Sequence, residues 1–94
     1  MKAIEIKNDI QIDIEFRKTK LGKILHDEVS RLYDLEESFD NIDEEDWTKE
    51  TTRQHMEVHR EYCKAHTNYE NARNDWFVKG IESGSIIDKM PDIG

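Results

Sequence analysis

Apolar and small side chains between residues 44 and 79 recur at steps of three, four and seven: Trp47, Thr51, Val58, Tyr62, Ala65, Tyr69, Ala72 and Trp76. That spacing puts them on one face of an α-helix. No proline or glycine interrupts the run, and Gly80 follows it as a helix-ending residue does. Asp43 is a suitable N-cap, with Glu44, Glu45 and Asp46 beside the positive end of the helix dipole. The pattern predicts a helix over 44–79, about 50 Å long at the α-helical rise. Thr67, Asn68, Asn71 and Asn74 are poor helix formers, so 67–74 is the weak point of this helix, the place where a kink or break would fall.

A second helical stripe precedes it. Leu21, Ile24, Leu25, Val29, Leu32, Leu35 and Phe39 predict a helix over 19–39, with Gly22 costing some propensity near its start. The short connection at 40–43 makes the two helices antiparallel neighbours with an acidic turn at the tip. The later helix outruns the earlier one. Its overhang, with Tyr69, Trp76 and Phe77, needs a cover.

Residues 3–17 alternate instead. Ile4, Ile6, Ile10, Ile12, Ile14 and Phe16 are separated by polar positions, which predicts strands with one buried face. A Lys7-Asn8-Asp9 loop pairs Ile6 with Ile10 and Ile4 with Ile12, keeping the register that a two-residue loop would break. A lone hairpin is marginal in water. Its isoleucine face is the expected cover for the aromatic overhang, with a second protomer as the alternative. In the tail, 80–94, Ser83-Gly84-Ser85 reads as flexible. Ile86, Ile87, Met90 and Ile93 are too apolar for a solvated end, so the tail either docks on its own chain or engages another molecule. The expected fold is α+β and mostly helical: an N-terminal β-hairpin, a long antiparallel helical hairpin and a short C-terminal tail, in one domain over 1–94.

Charge changes the picture in one place. The net charge is -8, and segment 34–46 holds eight acids and no base while the flanking segments are nearly balanced. Direct nucleic-acid binding needs a basic surface and is not expected. The basic cluster Arg17, Lys18, Lys20 and Lys23 reads as a solvated junction. No stretch approaches the roughly 20 apolar residues of a membrane span, and no signal-peptide pattern is present, so the cytoplasm is the expected location. A core of this size is marginal alone, which favours a homo-oligomer.

Three groups of residues carry candidate chemistry. His55, His59, Cys63 and His66 fall within about 80° of one another around a helix. Imidazole and thiolate suit zinc, but one helix seldom supplies four tetrahedral ligands. A zinc site would take two of them and borrow His26 or Glu28. The acidic tip, Glu36, Glu37, Asp40, Asp43, Glu44, Glu45 and Asp46, lacks the calcium-loop spacing. It reads as a partner-binding surface or as a mimic of nucleic-acid phosphates. The aromatic overhang, Tyr69, Trp76 and Phe77, is the third group, for a partner or for self-association. No phosphate loop, nucleophile elbow or Cys-His pair with an orienting acid outside one helix is recognisable, so no enzymatic activity is expected. These features predict a small acidic protein-interaction module, an oligomeric accessory or inhibitory protein binding a protein partner. Its composition is analogous to that of phage and mobile-element proteins.

Overall fold

The computed structural model describes residues 2–91. The elements in order are strand β1 (Ile4–Ile6), helix α1 (Asp9–Arg17), helix α2 (Lys20–Asp40), a 3₁₀ turn (Glu44–Asp46), helix α3 (Lys49–Ser83) and strand β2 (Ile86–Asp88). The chain divides into two compact units, Met1–Lys23 with Glu70–Gly94, and Ile24–Tyr69.

In the first unit the expected β-hairpin is absent. β1 pairs in parallel with β2 from the tail, Ile4 opposite Ile86 and Ile6 opposite Asp88. The second half of the alternating stretch is helix α1. Asn8 explains the change. Its backbone is still extended, and its side chain accepts the Gln11 N–H at 2.8 Å as the N-cap that starts the helix. The Gln11 side chain reaches back, accepting the Lys7 N–H at 2.7 Å and donating to the Glu5 carbonyl at 2.6 Å. It thereby occupies backbone groups on the free edge of β1 where a hairpin partner would have paired. Wound into a helix, alternate residues lie about 200° apart. One row, Ile12 and Phe16, is buried; the other, Ile10 and Ile14, stands 71% and 43% exposed.

The tail docks on its own chain. Ile4 donates to the Ser85 carbonyl at 2.9 Å, and Lys89 donates to the Ile6 carbonyl at 2.7 Å. Ile6, Ile12 and Ile86 form the buried centre, with Ile4, Trp76, Phe77 and Met90 packed against it. Ile93 lies outside the described residues. Trp76 also meets Phe16, ring centroids 5.5 Å apart, and Arg73 pairs with Asp13 at 2.7 Å.

Helix α3 differs from expectation at both ends. It starts at Lys49, where the Thr48 hydroxyl accepts the Thr51 N–H at 3.1 Å. Asp43 makes no side-chain cap, and the acids 44–46 form the separate 3₁₀ turn. At the other end the helix passes through Gly80 to Ser83, and Gly84, at φ 82°, turns the chain into β2. Gly80 is buried against Ile86, and a Cβ there would overlap the isoleucine side chain. No break occurs at 67–74. Thr67, Asn68, Asn71 and Asn74 all lie exposed, and the apolar face carrying Tyr69, Ala72 and Trp76 outweighs their weak propensity.

Helix α2 starts close to where the pattern placed it. The Thr19 hydroxyl donates to the Phe16 carbonyl at 2.6 Å and accepts the Gly22 N–H at 2.9 Å. The chain turns so tightly here that a Cβ on Gly22 would overlap the Phe16 carbonyl. In the second unit, contacts between α2 and α3 run in opposite senses along the chain: Phe39 with His55, Tyr33 with Tyr62, His26 with Tyr69. The two segments are therefore antiparallel there, around a buried Leu32. Among the described residues no helix is long and apolar enough to cross a membrane.

Replacing Asn8 by Ala removes the N-cap and is expected to cost about 1 kcal/mol. Gly80→Ala forces Ile86 off its seat and is expected to cost about 1–3 kcal/mol. Urea denaturation checks both. A Gly80→Ala midpoint at or above the wild-type value would remove the close-approach explanation.

Candidate functional site

The histidine and cysteine stripe lies in the second unit. His55, His59 and Cys63 occupy successive turns of α3, and α2 brings Glu36 against them. The Glu36 carboxylate hydrogen-bonds His59 Nδ1, and the same oxygen, Oε1, lies 3.9 Å from His55 Nε2. On the far side of the ring, His59 Nε2 is 3.6 Å from Cys63 Sγ. A carboxylate only accepts hydrogen bonds, so His59 Nδ1 carries the proton. In the neutral ring Nε2 is then an acceptor, aimed at the thiol. The imidazoles of His55 and His59 lie stacked with centroids 6.4 Å apart. Cys63 is exposed, on a groove of about 370 Å³ lined by His55, Met56, His59, Arg60 and Cys63.

The four residues read as metal ligands do not converge. Glu36 and Cys63 occupy opposite nitrogens of one imidazole, and the His66 ring packs near Tyr62 at 6.0 Å. Among the described residues no group of three or more His, Cys, Asp and Glu side chains is arranged to hold a metal ion. The expected lenders are engaged elsewhere: His26 meets Tyr69, and Glu28 is bonded by Arg31 at 2.6 Å. The residue facing the stripe is Glu36, which by sequence belongs to the acidic tip. An antiparallel register carried down from Phe39 and His55 would have found it.

The acidic residues separate in the same way. Glu37 hydrogen-bonds the Tyr33 phenol, and this bond, with the carboxylate's charge, pushes the Tyr33 pKa up. Asp40, Asp43, Glu44, Glu45 and Asp46 are exposed, and none has a cationic partner among the described ion pairs. Asp40 ends α2, where the helix dipole disfavours negative charge, and the last turn carries no base to offset it.

The aromatic overhang is largely packed. Tyr69 is buried, and Trp76 and Phe77 are half-buried on the isoleucine cluster. Beside Trp76 an open groove of about 480 Å³ is lined by Ile4, Ala72, Gly80 and Ile86, among others. The Lys79–Asp75 ion pair, 2.9 Å long, stands at its margin.

No family model, no curated protein and no solved structure gave a significant match to this chain.

The Tyr33 shift has a definite sign. The folded state favours the neutral phenol, so this contribution to stability is held below the usual tyrosine range and lost as pH rises through the raised folded value. Ultraviolet titration of the three tyrosines should show Tyr33 ionising late, and Glu37→Gln should bring it earlier. An unchanged curve in Glu37→Gln would mean that Glu37 is not the cause.

Proposed function

We propose that the chain is a small non-enzymatic protein-interaction module that works as a homo-oligomer, an accessory or inhibitory protein acting through its assembled surface. One observation carries this reading. Among the described residues eleven large apolar side chains stand exposed and six hydrophobic residues are buried. Single exposed apolar residues are ordinary, but an excess of this kind in so small a chain supports an interface. In the first unit, Ile10 and Ile14 lie one turn apart on α1, and Val78 and Ile81 lie one turn apart on α3. Full burial of such a side chain is worth about 1.5–3 kcal/mol, so covering a few of them offsets the cost of association.

A second reading has its own support. Asp40, Asp43, Glu44, Glu45 and Asp46 stand exposed with no cation among the described ion pairs, which suits contact with a basic protein surface, including one that otherwise binds nucleic-acid phosphates.

Absolute mass by light scattering tests the first reading. The wild type should run at a multiple of 11.2 kDa. The double variant Ile10→Lys, Ile14→Lys should run as a monomer with an unchanged far-ultraviolet spectrum. A monomeric wild type at every concentration would overturn self-association.

For the second reading, Asp43, Glu44, Glu45 and Asp46 are reversed to Lys, and retention on immobilised poly-lysine is compared with a control of the same net charge, reversed at Asp27, Glu61, Asp75 and Glu82. Only the first chain should lose retention. Equal loss in both would reduce the tip to bulk charge.

A further inference from the structure

We propose that Cys63, His59 and Glu36 form a reactive-thiol site that exchanges with low-molecular-weight disulfides. The three side chains lie in one line across two helices: carboxylate to Nδ1, then Nε2 to sulfur at 3.6 Å. This is the order in which a nucleophile, a base and a positioning acid act in thiol chemistry. Each part has a visible reason for its place. Cys63 and His59 are four residues apart on α3, so their side chains share a face. Glu36 comes from α2, is mostly shielded at 22% exposure, and fixes the ring so that its bare nitrogen meets the thiol. Cys63 itself is exposed, and the groove beside it is open to a small molecule. The charged and titratable groups facing the pair are Glu36 from α2 and His55 and Arg60 from α3. Arg60 on the groove wall favours a disulfide that carries a carboxylate.

The step is a thiol–disulfide exchange. The Cys63 proton passes to His59 Nε2. The sulfur attacks one sulfur of the incoming disulfide, a new S–S bond forms, and the old one breaks. The departing thiolate takes the proton from the imidazolium. One disulfide and one protein thiol become one mixed disulfide and one free small thiol, with no outside oxidant. Glu36 touches neither sulfur and acts as a positioning residue. Of the exposed apolar side chains counted for association, only Met56 lies on this groove, and the exchange step does not use it.

The test uses the full chain and dithionitrobenzoate, a disulfide bearing carboxylates. With a single cysteine per chain the colour released reports Cys63 alone. The folded wild type should react faster than the same chain unfolded in urea. His59→Gln should slow the reaction roughly tenfold near neutral pH while keeping its helical spectrum. Glu36→Gln should give a smaller loss, and Glu36→Asp should restore part of it. An unassisted thiol slows about tenfold per pH unit on the acid side of its ionisation, whereas the wild type should slow less steeply. That slope decides the matter even if His59→Gln fails to fold. A folded His59→Gln chain reacting at the wild-type rate, or a wild-type slope and rate equal to those of the unfolded chain, would overturn the proposal.

Discussion

The first unit depends on the pairing of two three-residue strands that lie at opposite ends of the sequence. Neither β1 nor β2 is long enough to persist alone, and a parallel pair cannot be closed by a tight turn. What holds them is the shared burial of Ile6 and Ile86 on Ile12. The surrounding residues then have evident roles. Gly84 redirects the chain into the second strand, Gly80 leaves room for Ile86, and Gln11 closes part of the free edge of the first strand. Trp76 and Phe77, which a bare helix end would expose, become the floor on which the strands sit.

Much of this was legible in the residues, and the failures have specific causes. The stripe from Leu21 to Phe39 has helical periodicity, and the helix forms there. The apolar tail, with Ile86 and Met90, signalled a partner surface but not whether that surface was its own chain; Ile86 and Met90 pack on the chain's own isoleucine cluster. The stretch from Ile10 to Phe16 misled because strict alternation produces two rows on opposite sides of a helix as readily as one face of a strand. The local cap at Asn8 and Gln11 settles the choice. The acids before Trp47 imitate a helix start, but the Thr48 hydroxyl lies nearer the first turn and takes the cap. Gly80 imitates a helix stop, yet it is small for the sake of a neighbour distant in sequence, which no local pattern displays.

The candidate sites divide along the same line. The stripe from His55 to Cys63 is visible as spacing, but its chemistry depends on which residue faces it across the antiparallel pair. Glu36 looked like one more acid of the tip. In place it hydrogen-bonds one nitrogen of the His59 imidazole whose other nitrogen faces Cys63, so the stripe is a relay of contacts rather than a convergent ligand set. Among the described residues Asp40, Asp43, Glu44, Glu45 and Asp46 gain no cation. Such uncompensated repulsion costs stability, and a surface that tolerates it invites an explanation outside the chain's own folding.

The strand pairing also has a consequence for biosynthesis. The residue opposite Ile4 lies about 80 residues downstream, which at a synthesis rate of 5–20 residues per second is a delay of about 4–16 s. Throughout that interval a nascent chain carries Ile6 and Ile12 without the Ile86 that joins them in the buried cluster. Ile6 and Ile12 are made long before Ile86, with which they share the buried cluster. Until then those side chains are exposed apolar surface of the kind that chaperones bind, and the unit closes only once Lys89 is free of the exit tunnel.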